Sequence, residues 1–125
     1  RLQSIREDMQ TALWRGLNAL REGASLSKAA RVLEAELEEL RRLHGADAQE
    51  AFRLRRLVND MTTALLLCRA ATAREDTLGC HARTDHPERA EKPYRVVLHS
   101  DGCGGAPRDA ERASDHLVAC ATRDV

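Results

Sequence analysis

The chain has no long apolar run, no excess of charge of either sign and no visible signal peptide. Its longest apolar run, residues 64–68, ends at Arg69, whereas a helix needs about 20 apolar residues to cross a bilayer. The 20 basic and 20 acidic residues balance, so no excess positive charge is available to bind a phosphate backbone. We therefore expect no nucleic-acid partner, no direct membrane insertion and a cytoplasmic location.

A glycine-rich nucleotide turn is also missing. The segment 102–105 is rich in glycine but lacks the G-x-G-x-x-G spacing and a strand-to-helix context, so we interpret it as a flexible loop. With 125 residues the chain has the size of one domain. We expect no dinucleotide-binding fold in it. Because it begins at Arg1 in the middle of an amphipathic pattern, the sequence suggests either a piece of a longer chain or a processed protein, which would look the same.

Cysteine is sparse and unpaired in sequence. The four cysteines lie at positions 68, 80, 103 and 120 without a C-x-x-C pair, which predicts reduced thiols. Cys68 occupies an apolar helical position and should behave as a small buried hydrophobe. A zinc site is a less favoured alternative, because the spacing of its nitrogen and sulfur donors is not that of a usual finger. Its ligands would be Cys80, His86, His99 and Cys103.

Apolar residues recur every three or four positions through most of the first 78 residues, which is typical of amphipathic helices. We predict helices over residues 2–22, 26–44 and 47–78. Short links containing glycine predict that neighbouring helices reverse direction. The predicted fold is therefore all-α, an antiparallel three-helix bundle with an irregular C-terminal tail.

Local signals mark the ends of these helices. Ser25 or Ser27 is the expected N-cap of the second helix and Gly45 its C-cap. Asp47 and Glu50 form a capping box at the start of the third helix, which should run to Gly79. Gly16 inside the first helix suggests a close approach by another segment.

The end of the chain differs from its beginning. Residues 95–99 form the only β-branched, strand-like run, and residues 112–120 have the pattern of a short helix. We predict two parts: a bundle over residues 1–94, and a tail over residues 95–125 with one possible strand and a short helix.

The segment 74–89 places basic, acidic and imidazole side chains around Gly79. The carbonyls at a helix C-terminus would attract cations in any protein, so Arg74, His81 and Arg83 could be there only for stability. His81 could also act as an acid or base, but no nucleophile and carboxylate are arranged for that role. The attraction of cations to a helix C-terminus explains which residue types occur in the segment, but it does not explain their order.

That order resembles the pattern R-x-E-S-R-G-x-H-x-R-x-D-x-P-E-R in the C-terminal helical domain of succinate dehydrogenase and fumarate reductase flavoprotein subunits, and more loosely in L-aspartate oxidase. The matching residues are Arg74, Gly79, His81, Arg83, Asp85, Pro87, Glu88 and Arg89. Asn59 matches an asparagine that opens the last long helix of the family. The resemblance covers roughly residues 1–94, and Leu78 stands where the family has arginine.

The resemblance implies a domain that packs on the flavin-binding and capping domains of a parent flavoprotein. The FAD and the dicarboxylate-binding residues of the family lie in those domains, so it implies no catalytic, cofactor-binding or metal residues in this chain. Residues at matched positions would contact the missing domains or an iron-sulfur subunit, on the cytosolic face of a membrane-associated complex. These residues are Asn59, Arg74, Gly79, His81, Arg83, Asp85 and Arg89.

Two functions follow from this resemblance. The first is the C-terminal docking domain of an FAD-dependent dicarboxylate oxidoreductase; the ending Pro87-Glu88-Arg89 favours the succinate and fumarate branch over L-aspartate oxidase. The alternative is a free-standing helical interaction module that retains the fold without the enzyme. We also expect Leu78 to turn inward, because it continues the apolar stripe of the third helix.

Overall fold

Three helices carry most of the part of the chain that the computed structural model describes, namely residues 1–92, 94–99 and 109–114. They are α1 (Leu2–Gly16), α2 (Gly23–Arg42) and α3 (Ala48–Ala73), and each packs against the other two. The predicted helical bundle is confirmed, while the antiparallel direction of its helices stays a prediction. Within the described residues, no helix is long and apolar enough to cross a membrane.

The core lies between the three apolar helix faces that the periodicity predicts. It consists of Ile5, Met9 and Ala12 from α1, Ala29, Leu33, Leu37 and Leu40 from α2, and Leu57, Met61, Ala64, Leu65 and Cys68 from α3. Cys68 is fully buried, as expected for a small hydrophobe, and burial raises the pKa of its thiol to about 11.

Helix α1 ends at Gly16, earlier than the predicted residue 22. The following residues leave the helix because Leu20 and Arg21 form strand β1 (Leu20–Arg21), which pairs with a distant strand. Gly16 does permit a close approach, since a Cβ there would lie 2.5 Å from the Cβ of Ala29. Tertiary contacts thus override the continuing apolar pattern.

Helix α2 begins at Gly23, before the predicted residue 26, and Glu22 rather than Ser25 or Ser27 is its N-cap. The side chain of Glu22 accepts no capping hydrogen bond. Helix α2 ends at Arg42 with Leu43 as its C-cap, so the prediction that Gly45 caps it was wrong. Gly45 instead packs on the start of α3, where a Cβ would lie 2.4 Å from the backbone nitrogen of Ala51.

Helix α3 begins as predicted and ends early. Asp47 is the N-cap and accepts a 2.7 Å hydrogen bond from the backbone N–H of Glu50, whose carboxylate accepts one from Ala46. The helix ends at Ala73 rather than at 78. Gly79 has a φ of +57° in a later turn, so it does not end the helix.

Two short strand pairs complete the described chain. Strand β1 lies parallel to β2 (Ala82–Arg83), and β3 (Tyr94–His99) lies antiparallel to β4 (Asp109–Ser114). The strand predicted over 95–99 is confirmed. The short helix predicted over 112–120 is wrong at 112–114, which belong to β4, and residues 115–120 lie outside the described part. The division into residues 1–94 and 95–125 stays a prediction.

Candidate docking site after the third helix

Arg83 closes the C-terminal end of α3. Its side chain is buried, and Nη1 donates hydrogen bonds to the carbonyls of Ala71, Thr72 and Arg74 at 3.0, 3.1 and 3.1 Å. These carbonyls lack partners inside the helix, and a cation also suits the negative end of the helix dipole. A residue from beyond the helix therefore caps it.

Asp85 extends this cap to a second helix. It receives two hydrogen bonds from Arg83, both at 2.7 Å, and a third from the backbone N–H of Gly23 at 3.0 Å. The Arg83 guanidinium holds the pKa of Asp85 well below its usual range, and the N–H of Gly23 adds to the effect. The Arg83–Asp85 pair thus joins the end of α3 to the start of α2, which explains why α2 begins at Gly23 without a local side-chain cap.

His81 joins the same helix end to β1. Its Nδ1 lies 2.7 Å from Nη1 of Arg21, and its Nε2 lies 3.0 Å from the carbonyl oxygen of Arg74. Burial lowers the pKa of His81, its hydrogen bond to the Arg74 carbonyl raises it, and the charges of Arg21, Arg74 and Arg83 lower it. Because both ring nitrogens have a partner, the imidazole acts as a structural bridge.

A second polar cluster lies beside this one. Asp76 is buried and takes a 2.9 Å ion pair from Nε of Arg74 and a 3.1 Å hydrogen bond from the hydroxyl of Tyr94. The guanidinium of Arg74 also lies 5.0 Å from the centre of the Tyr94 ring, a cation–π distance. Arg74 therefore binds β3 to the segment that follows α3.

Gly79 lies in a tight turn between these clusters. The backbones of Leu78 and His81 exchange hydrogen bonds of 3.0 and 3.1 Å, which close the turn. A φ of +57° favours glycine there, because other residues pay a steric cost in that region. The turn sets the direction in which His81 enters the site.

Thr77 ties the end of the motif back to its start. Its hydroxyl accepts from the N–H of Arg83 at 2.9 Å and donates to the carbonyl of His86 at 2.9 Å. Its own N–H donates to the carbonyl of Glu88 at 3.0 Å. These bonds hold the residues on both sides of Pro87 against the turn.

Arg89 and Leu78 face outward from this region. They line a cleft of about 260 Å³ together with other residues of the two clusters. Arg89 is exposed and has no ion pair or hydrogen bond to a described residue, and Leu78 is 42% exposed. The expectation that Leu78 turns inward was wrong, because α3 has already ended before it. The complete lining is Arg74, Asp76, Leu78, Arg89, Ala90, Tyr94 and Arg95.

Asn59 stands apart from the other predicted contact residues. It lies in the interior of α3 rather than at its start, and its side chain is exposed. Its carbonyl accepts a 3.0 Å hydrogen bond from the hydroxyl of Thr63. The structure brings together Arg74, His81, Arg83 and Asp85, with Gly79 in their turn, and leaves Asn59 on a helix surface.

The sequence analysis missed several residues of the site. Asp76, Thr77, Arg21, Gly23 and Tyr94 all make polar contacts there. Tyr94 is the single tyrosine of the chain, and a lone aromatic beside basic residues was the available signal. Arg21 and Gly23 gave no signal, because their partners are distant in sequence.

The described residues give no grouping of donors for the zinc alternative. Within the described residues, no group of three or more potential metal ligands occurs. Cys80 is exposed in the turn, and His86 lies 3.8 Å from Asp85. Cys103 lies outside the described residues, as does the Gly-rich segment 102–105, so the full set of four ligands stays a prediction.

Comparison with known proteins identifies the family. A sequence model described as the fumarate reductase flavoprotein C-terminus matches residues 6–119. The chain therefore belongs to the succinate dehydrogenase and fumarate reductase flavoprotein family and is a C-terminal domain of that family. The match also extends past residue 94, where the motif-based resemblance stopped.

Individual relatives agree with this assignment. The chain is 33% identical over 90 residues to an L-aspartate oxidase of Streptomyces coelicolor. The aligned stretch covers 70% of this chain and 16% of the relative. It therefore spans about a sixth of the length of that curated relative.

Solved structures show the same fold. FrdA of E. coli quinol fumarate reductase superposes with a TM-score of 0.77 at 21% identity, covering 95% of this chain and 22% of that one. Sdh1 of Mycobacterium smegmatis gives a TM-score of 0.74 at 18% identity, covering 93% and 20%. At these identities the likeness concerns the fold alone.

Proposed function

We propose that this domain docks onto the flavin-binding and capping domains of an FAD-dependent dicarboxylate oxidoreductase of the succinate dehydrogenase and fumarate reductase type. The observation that carries the proposal is that some side chains within residues 74–89 bind inside the chain while others are exposed. Arg83, Asp85 and His81 bind inward to helix ends, while Arg89 and Leu78 remain directed outward. In this proposal FAD and the substrate are bound outside this chain, on the cytosolic face of a membrane-associated complex.

The chemistry of the cleft indicates what it would bind. Three arginines and one aspartate line it, and the aspartate, Asp76, is already paired to Arg74 and Tyr94. Arg89 has no ion pair to a described residue, so its positive charge is available in the cleft, and exposed Leu78 adds an apolar patch beside it. A complementary surface would carry a carboxylate next to an apolar side chain, because arginine forms directed hydrogen bonds to carboxylates.

The seven predicted contact residues then divide into two groups. Arg74, Gly79, His81, Arg83 and Asp85 would shape the docking surface from inside, because their polar groups and backbone are used within the chain. Arg89 would contact the partner directly, and exposed Asn59 would do so on the separate face of α3. An iron-sulfur subunit is a further proposed partner of this exposed surface.

The parent substrate is proposed only as a dicarboxylate. The ending Pro87-Glu88-Arg89 resembles the succinate and fumarate branch, whereas one curated relative is an L-aspartate oxidase. Catalysis would belong to the other domains.

The decisive test begins with the coding sequence upstream of Arg1. A G-x-G-x-x-G turn in a strand-to-helix context there would support the docking domain, and its absence would support the alternative, a free-standing interaction module. If the turn is present, the upstream part should bind this domain when the two are expressed as separate chains and studied by titration calorimetry.

A substitution then tests the surface itself. Arg89→Ala should weaken that binding by about tenfold or more, since a hydrogen-bonded charge pair is lost. Arg41→Ala, at an exposed arginine of α2 remote from the cleft, is the matched control and should leave the affinity unchanged. Equal affinities for both variants would contradict the proposed role of the cleft.

A further inference from the structure

The bonds of His81 fix which of its nitrogens carries the proton. The guanidinium of Arg21 can only donate, so Nδ1, 2.7 Å away, must be the unprotonated acceptor. The carbonyl of Arg74 can only accept, so Nε2, 3.0 Å away, must carry the hydrogen. Both contacts require the neutral imidazole, and a second proton would set two donors against each other at Nδ1.

The charges around the ring also oppose protonation. Arg21 from β1, Arg74 at the end of α3 and Arg83 from β2 all raise the local positive potential. The carboxylates of the region are occupied, because Asp76 pairs with Arg74 at 2.9 Å and Asp85 pairs with Arg83 at 2.7 Å. A third carboxylate, that of exposed Glu75, raises the pKa of Arg83, whereas the charges that shift the pKa of His81 are those of the three arginines. A proton on His81 would therefore add a fourth positive charge beside these arginines.

His81 holds a segment that has few other long-range bonds. Residues 17–22 connect α1 to α2, and β1 lies within them. Besides the Arg21–His81 bond, the carbonyl of Arg21 accepts from the N–H of Thr84 at 2.8 Å and from its hydroxyl at 3.3 Å. Removing the side-chain bond would leave the two bonds from Thr84, the pairing of a two-residue strand, and the Asp85–Gly23 bond just beyond the segment.

We propose that His81 is an acid-sensitive latch, which in its neutral form holds the α1–α2 connection against β2 and on protonation releases Arg21. The proposal does not depend on the docking function, since the latch belongs to contacts within this chain. It concerns acidification below neutrality, the range in which histidine titrates.

The test follows the latch in the isolated chain. Nuclear magnetic resonance should show His81 as the neutral Nε2–H tautomer near pH 7. On lowering the pH from about 7.5 to about 5, hydrogen-exchange protection of the Thr84 amide, corrected for intrinsic exchange, should fall by about fivefold or more. Protection of the Met61 amide, in the core of α3, should stay constant over the same range. Unchanged Thr84 protection as the His81 ring titrates would overturn the proposal.

Two variants separate the latch from a general loss of structure. Arg21→Met removes the donor, so the pKa of His81 should rise and the pH dependence of Thr84 protection should shrink. His44→Gln, at an exposed histidine beyond the far end of α2, is the control and should leave the Thr84 transition unchanged. An Arg21→Met chain with the parent's His81 titration, or an Nδ1–H tautomer in the parent, would refute the latch.

Discussion

The helical core and the region that follows α3 are stabilised by different forces. The core is apolar, and its largest fully buried side chains include Ile5, Leu33 and Leu65. Burying apolar area is favourable without strict geometry. The region after α3 depends instead on hydrogen bonds from Arg83, His81 and Thr77 to backbone groups. Its stability therefore rests on a few directed contacts.

This difference determines how each region should respond to substitution. A core can redistribute a small change over many contacts, whereas a buried polar group that loses its partner keeps its full desolvation cost. The comparison predicts that removing one buried arginine after α3 lowers the free energy of unfolding more than removing one average apolar contact in the bundle.

Among substitutions in the region after α3, the largest effect is expected at Arg83. Arg83→Met should lower the free energy of unfolding by about 3 kcal/mol or more, because it removes the donor from the carbonyls of Ala71 and Thr72 and two of the three hydrogen bonds to Asp85. Urea denaturation followed by circular dichroism would measure it. Arg41→Met, on the exposed surface of α2, should change the value by about 0.5 kcal/mol or less. Similar losses of stability in both variants would show that the hydrogen bonds of Arg83 contribute no more than an exposed arginine does. That result would contradict the expected sensitivity of the region after α3.

A smaller effect is expected where α1 touches α2. Gly16→Ala should cost about 1–3 kcal/mol, since the new Cβ would lie 2.5 Å from that of Ala29. The double variant with Ala29→Gly should recover part of the loss, because the opposing methyl group is removed. Thermal unfolding of the single and double variants would give the coupling energy. If the effects of the two substitutions on stability simply added, the helices would accommodate the new methyl group by shifting apart at no cost.

These two sites also show what the sequence could predict. The periodicity of apolar residues predicted the core, and the spacing of Asp47 and Glu50 predicted the capping box, because both signals depend on neighbours within a few positions. The periodicity failed at the ends of α1 and α3, where Arg21 and Arg83 form contacts with distant residues. The motif resemblance singled out Arg74, His81, Arg83 and Asp85, but it did not show which residues they bind. No local pattern could reveal that Gly23 receives its cap from Asp85.

The pH dependence of stability should trace to Asp85. Its pKa is lowered in the fold, chiefly by Arg83, so the carboxylate contributes stability above the unfolded pKa of about 3.9. That contribution is lost as the pH falls below this value towards the folded pKa. Asp85→Asn should therefore flatten the pH dependence of denaturation midpoints between about pH 5 and about pH 3.

The control for this pH prediction is another aspartate. Asp60→Asn, at an exposed position of α3, should keep the acid sensitivity of the parent chain. If both variants lost the sensitivity equally, carboxylates in general rather than the Arg83–Asp85 pair would govern the acid response.

The smallest effect is expected at Leu78. This residue is 42% exposed in the cleft and lies beyond the end of α3, so an arginine there would keep its charge in water. Leu78→Arg should change the free energy of unfolding by about 0.5 kcal/mol or less. Leu65→Arg, at a core position of α3 that is 1% exposed, should cost about 4 kcal/mol or more by burying an unpaired charge. Chemical denaturation of both variants would compare them directly. A large loss for Leu78→Arg would show that the cleft closes over this side chain, and would remove it from the outward surface that we propose for docking.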